Sequence, residues 1–149
     1  PRPVQAHLPI LIGGSGPRKT LRTTARYADL WNASGATRDE VVASLDTLRE
    51  HCADVGRDPA EIELTVSFPI SIRDTVEAAK TEALVRFRAN GVEDTGPGPH
   101  LAGPPELIAE AIAPFVELGF RTVFARFPAP FDRESIERMP EVRSLLDAG

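Results

Sequence analysis

Gly13-Gly14-Ser15-Gly16, followed at once by Pro17-Arg18-Lys19, brings together residue types that can hold an anion. Glycines admit positive φ and let the backbone approach a ligand closely. A helix opening directly after them points its first N–H groups, with the positive end of its dipole, outward. Pro17 suits the first helical position, where no N–H is needed. Arg18, Arg22 and Arg26 are four apart and share one helix face, Lys19 stands beside them, and no acid occurs before Asp29. Two readings fit these cations. Arg18 and Lys19 lie in the first turn, where a phosphate would sit. Alternatively all four, Arg22 and Arg26 above all, form the solvated face of an amphipathic helix whose Leu21, Ala25 and Ala28 pack inward. The junction itself reads as a phosphate-binding turn or as a plain tight one. It is neither the dinucleotide fingerprint, since GGSGP lacks that glycine spacing, nor a Walker loop, since no Gly-Lys-Ser/Thr follows.

Other candidates stand near the ends of apolar segments. Trp31 can stack near a ring system or pack as core. Asn32 can donate to a ligand or cap a turn, and Ser67 can face a cavity or simply end a strand. Arg126 is either a cation at the mouth of a site or a surface arginine. His7, His51 and His100 are scattered, with no spacing that makes a metal site. Cys52, the single cysteine, falls on an apolar stripe and reads as a small core residue.

The elements that must position these residues follow from periodicity. The apolar run Leu8–Ile12 predicts a buried strand feeding the glycine turn, then a helix over Pro17–Ala28 and a short strand over Leu30–Ala33. Thr37 and Glu40 form a capping box for a helix carrying Val41, Leu45, Leu48, Cys52 and Val55, closed by Gly56. Ile62 to Ile72 alternates apolar and polar, a strand that Pro69 is expected to end. Its alternation fits an antiparallel sheet with one wet face, or a barrel strand with helices on the apolar side and a cavity on the polar side. Asp74 and Glu77 open a third helix, and residues 92–103 read as a loop. Pro104-Pro105-Glu106 starts a fourth helix with Pro114 near its end. Arg121–Phe127 is a last strand, and Asp132 begins a final helix interrupted at Met139-Pro140. This alternation without hairpins predicts parallel strands joined by right-handed crossovers, an α/β fold with ligands at the carboxyl ends of its strands.

The 149 residues carry a formal charge of −5, with 42% hydrophobic and 26% charged content, as expected of one globular domain over 1–149. Neither a nucleic-acid partner nor a membrane span is expected. A lone cysteine fits a reducing cytoplasm. The chain opens Pro-Arg-Pro without methionine, so a removed start or a part of a longer product is expected.

The stretch ILIGGSGPRKTLRTTARYADLWN resembles the fifth βα unit of bacterial luciferase-like monooxygenases, close to the branch that uses the deazaflavin coenzyme F420. LREHCADVGRDPAEIELTVS is similar to the next unit, and AGPPELIAEAIAPFVELGFRTVFARFP resembles the segment leading to the eighth strand. The resemblance covers nearly the whole chain. It implies parallel βα units forming the C-terminal half, strands five to eight, of a TIM-type (β/α)8 barrel. It also implies an oxidoreductase that moves a hydride between F420, or alternatively FMN, and a small-molecule organic substrate. The coenzyme phosphate would lie on Gly13, Gly14, Ser15 and Gly16, with Arg18, Lys19 and Asn32 beside it, and Trp31, Ser67 and Arg126 toward the substrate. The N-terminal half, which in the family often supplies the catalytic histidine, has no counterpart. No catalytic acid or base is therefore assigned, and this chain alone is expected to be inactive. Four parallel strands leave two unpaired edges. The expected partner is then the missing N-terminal half or a second copy. The alternative reading is a non-catalytic half-barrel that binds a phosphorylated ligand or assembles as a dimer.

Overall fold

The computed structural model describes residues 4–93 and 99–148. Its elements run β1 (Leu11–Gly13), α1 (Thr20–Tyr27), β2 (Leu30–Ser34), α2 (Arg38–Val55), β3 (Glu63–Ile72), α3 (Val76–Ala89), β4 (Leu101–Gly103), α4 (Pro105–Glu117), β5 (Thr122–Arg126) and α5 (Arg133–Ala148). Every pairing among the described strands is parallel. The path β1-β2-β3-β5 carries the four strands predicted above, with β3 at its centre. This is the α/β fold of successive βα units that the alternation implied, arranged as the half-barrel that the family resemblance implied. Among the described residues, no helix is long and apolar enough to cross a membrane.

The alternation along β3 sorts the two faces. Ile62, Val66, Phe68, Ile70 and Ile72 join the core under the helices, with Leu21 and Ala25 of α1, Val41, Leu45, Leu48 and Cys52 of α2, and Ile108, Ile112 and Phe115 of α4. Thr65, Ser67 and Ser71 alternate with them and so stand on the opposite, inner face. The barrel reading of that strand is therefore the one realised. Helix α2 starts on the expected capping box: the Thr37 N–H donates to Glu40 Oε2 at 2.8 Å, and the Glu40 N–H donates to Thr37 Oγ1 at 3.4 Å. The backbone N–H of Thr37 holds the Glu40 carboxyl below the usual range, helped by the Thr37 hydroxyl. Gly56, at φ +69°, ends that helix in the left-handed region where glycine is favoured.

Several boundaries differ from expectation, each for a local reason. Leu8–Ile12 is not a buried strand: only Leu11–Gly13 is β1, and Leu8 and Leu11 are 61% and 44% exposed. β1 pairs with β2 alone, so its other edge has no cover, and Pro9 lacks a donor. Helix α1 begins at Thr20, three residues past Pro17. Pro69 does not end β3. It sits where pairing with β5 stops and pairing with β4 begins, so its missing N–H falls at a change of partner. Thr75, not Asp74, caps α3, because its hydroxyl accepts from the Ala78 N–H at 3.2 Å. β4 appears inside the stretch read as a loop, too short to show a period; residues 94–98 of that stretch lie outside the described residues. Helix α5 runs on through Pro140. Val142, Met139 and Leu146 pack it into the core, and that burial outweighs one missing backbone bond.

Candidate functional site

The glycine turn leaves β1 where Gly13 stands opposite Asn32. Gly14 adopts φ +104°; its N–H donates to the Asn32 carbonyl at 3.1 Å, and its own carbonyl accepts the Trp31 indole N–H at 2.9 Å. The Leu21 N–H reaches back to the Gly16 carbonyl at 3.1 Å, and the Thr23 N–H to the Lys19 carbonyl at 2.9 Å. The N–H groups of Ser15, Gly16, Arg18, Lys19 and Thr20 meet no backbone acceptor among the described residues. No acidic side chain lies in the first turn of α1, and Lys19, its N-cap, makes no side-chain cap bond. Ser15, Gly16, Arg18, Lys19, Arg22 and Arg26 are all exposed. Among the described residues none of the four cations has an ion-pair partner. Free donors and the charges of Arg18 and Lys19 thus share an exposed turn, the chemistry a phosphate group requires, while Arg22 and Arg26 stand farther along α1.

Trp31 lies beneath this turn rather than beside a ligand. It is fully buried, its ring 6.2 Å from that of Phe120, so of its two readings the structure realises core packing. Asn32 is next to the turn, but its side chain is engaged: Oδ1 accepts from Thr65 Oγ1 at 3.4 Å and Nδ2 donates to Ser67 Oγ at 3.3 Å. Ser67 is buried and reaches the turn only through Asn32. Arg126, exposed at the end of β5 opposite Pro69, stands two strands from β2. The structure therefore gathers Gly13, Gly14, Ser15, Gly16, Arg18, Lys19 and Asn32 at one place and leaves Arg126 at another.

A second polar cluster closes the carboxyl end of β3, and nothing in the sequence pointed to it. Asp132, 2% exposed, takes Arg73 Nη2 at 3.0 Å and the Ser135 hydroxyl at 2.6 Å. Arg86 lies 3.7 Å from the same carboxylate and also pairs with Glu82. Burial pushes Asp132 up, but the hydrogen bonds from Arg73 and Ser135 outweigh it and hold the carboxyl below its usual range. His100 stands nearby, 3.2 Å from Ser71 Oγ and edge-on to Phe87, and burial pushes its pKa down. His51, on α2, places Nε2 2.7 Å from the Pro17 carbonyl in the glycine turn. The His100–Ser71, His51–Pro17 and Arg73–Asp132 contacts join residues 29 to 59 positions apart, and no spacing rule announces them.

Residues 1–96 match the sequence model of the luciferase-like monooxygenase family. Over 90 residues the chain is 40% identical to a phthiodiolone/phenolphthiodiolone dimycocerosates ketoreductase of Mycobacterium sp. (strain JLS), a match covering 57% of this chain and 23% of that protein. An F420-dependent secondary alcohol dehydrogenase, solved with an F420-acetone adduct, superposes with a TM-score of 0.74 at 19% identity, over 94% of this chain and 49% of its own. A long-chain alkane monooxygenase superposes at 0.70 and 14% identity, over 91% and 41%. The coenzyme F420-dependent tetrahydromethanopterin reductase of Methanopyrus kandleri gives 0.60 and 16%, over 83% and 45%. At these identities the solved structures share the fold. The chain spans about half of their length and under a quarter of the ketoreductase.

Proposed function

We propose, from the premise that this chain belongs to the luciferase-like monooxygenase family, that it forms the coenzyme-phosphate half of a flavin- or deazaflavin-dependent oxidoreductase. The observation that carries the proposal is the turn whose N–H groups at Ser15, Gly16, Arg18, Lys19 and Thr20 have no backbone partner among the described residues. The residues fit the group: Gly14 and Gly16 let the backbone come close, the amides donate to phosphate oxygens, and Arg18 and Lys19 balance its charge. When bound, the coenzyme supplies hydride transfer to or from an organic substrate. The part of this chain is to hold the phosphate and so fix the ring at the carboxyl end of the strands. F420 is the coenzyme we favour over FMN. The exposed Arg18, Lys19, Arg22 and Arg26 suit a ligand with acidic groups beyond its phosphate, and two of the similar structures are described as F420-dependent. No residue described here is assigned as a catalytic acid or base.

The test is a titration of the purified chain with F420, FMN and riboflavin, followed by emission of Trp31, the only tryptophan. Its indole N–H bonds the turn at the Gly14 carbonyl, so the probe sits under the site. F420 and FMN are expected to change the emission saturably, and riboflavin, lacking the phosphate, to bind more weakly. No response to F420 or FMN would overturn the reading. The exposed inner and edge residues Leu11 and Phe124 favour a second reading alongside it, in which the half-barrel assembles with another copy. Light scattering on the eluting chain tests that: a dimeric mass supports it, and a monomeric mass rejects it.

A further inference from the structure

We propose that His51 is a positioning residue for the anion turn, holding the Pro17–Arg18 peptide so that the Arg18 N–H faces out to the ligand; this rests on the phosphate reading above. A carbonyl oxygen only accepts, so at 2.7 Å His51 Nε2 carries the proton and donates it to the Pro17 carbonyl. In a planar trans peptide the C=O and the following N–H point in opposite directions. Drawing the Pro17 oxygen toward α2 therefore turns the Arg18 N–H away from α2, toward open solvent. Trp31 does the same three peptide groups earlier: its indole takes the Gly14 oxygen, which turns the Ser15 N–H outward. Two side chains from two different elements thus set two of the donors of the turn. The turn cannot set them itself, since α1 starts without a side-chain cap.

His51 is well placed to act in this way. It sits on α2 beside the buried Cys52, its side chain 20% exposed, and its Nδ1 lies 4.0 Å from Asp54 Oδ2. Six residues on, Arg57 Nη1 donates to the Ala25 carbonyl at 3.2 Å, near the other end of α1. Helix α2, through His51, and the segment just past its C-cap, through Arg57, therefore grip the unit of turn and α1 at both ends.

The experiment compares His51→Phe, which keeps a ring but removes the donor, with His51→Gln, which returns an N–H to about the same place. Inorganic phosphate, FMN and riboflavin are the probes. His51→Phe is expected to weaken phosphate and FMN by about three- to tenfold, the size of one lost hydrogen bond, and to leave riboflavin unchanged. His51→Gln is expected to recover most of the loss. Equal weakening of FMN and riboflavin, or no weakening of phosphate by a folded His51→Phe protein, overturns the inference. A ligand-free measurement separates this outcome from failure of the phosphate reading: 15N NMR of the ring is expected to show the Nε2–H tautomer, and His51→Phe to shift the Arg18 amide resonance. If the wild-type chain binds neither phosphate nor FMN, the proposed function falls. An Nδ1–H tautomer, or an unmoved Arg18 amide, sinks the His51 assignment by itself.

Discussion

Gly13 and Gly14 are adjacent in the chain, yet the structure predicts a loss for one and little change for the other when each becomes alanine. Gly14 sits at φ +104°, which L side chains rarely adopt, although its added Cβ would meet only Thr20 Cγ2 at an ordinary 3.6 Å. The penalty is therefore conformational rather than steric, about 1–3 kcal/mol if the backbone stays in place. The turn also has an escape. It can swing out of that conformation and forfeit the Trp31 indole bond to the Gly14 carbonyl and the Gly14 N–H bond to Asn32, about 1 kcal/mol each. Whichever route costs less sets the outcome, so Gly14→Ala is expected to lose about 1–2 kcal/mol. Gly13 carries no positive φ, and its Cβ would meet nothing nearer than the Asn32 carbonyl at 3.9 Å. Gly13→Ala is expected to stay within about 1 kcal/mol of wild type, assisted by the lower entropy of its unfolded chain. Urea denaturation gives both values, and Trp31 emission tells which route Gly14→Ala takes. An unshifted spectrum means the strained turn persists, and a shifted one means the indole has lost its acceptor. Equal midpoints for the two variants would refute the reasoning, because the two sites differ in backbone conformation and in little else.

Asp132→Asn removes one charge from a buried cluster in which Arg73 keeps Glu134 at 3.1 Å and Arg86 keeps Glu82, so a stability loss of about 1–3 kcal/mol by urea denaturation is expected. Because the folded pKa of Asp132 lies below its unfolded value, its stabilisation is complete above about pH 4 and is lost as pH falls through the folded pKa; acid melts should show that loss in wild type, reduced in Asp132→Asn. His100 behaves as a base made weaker by burial: folding favours its neutral form, so its contribution is present above about pH 6.5 and declines as pH falls below that value. NMR titration of the ring should give a midpoint below that of a free histidine, and a midpoint at or above it would contradict the burial of His100 against Phe87.

The parts of the fold that were legible in the sequence are those whose cause is local. Thr37 and Glu40 satisfy each other's backbone within one turn, Gly56 takes a conformation other residues avoid, and the alternation from Ile62 to Ile72 is itself the two-faced character of β3. The parallel order followed because each strand is succeeded by a helix. What was not legible depends on neighbours that spacing does not encode. Leu8 to Ile12 has the composition of a buried strand, but an edge with a single partner leaves it exposed. Pro140 breaks a helix considered alone, while the packing of Val142 and Met139 keeps this one whole. At the site, the glycines and cations could be read directly. The placing of Trp31 beneath the turn, the engagement of the Asn32 amide with Thr65 and Ser67, and the Arg73–Asp132 pair all arise from strands brought side by side.

Trp31 belongs to two regions at once, its ring in the apolar interior against Phe120 and its nitrogen at the floor of the turn. On the proposed function, interior packing and ligand affinity are thereby geared to each other. Trimming Phe120 opens space beside the indole, and any shift of the ring moves the donor that holds the Gly14 carbonyl, and with it the Gly14–Ser15 peptide. On the proposed function, anion affinity then becomes a gauge of the interior, sensitive to changes at a residue outside the turn.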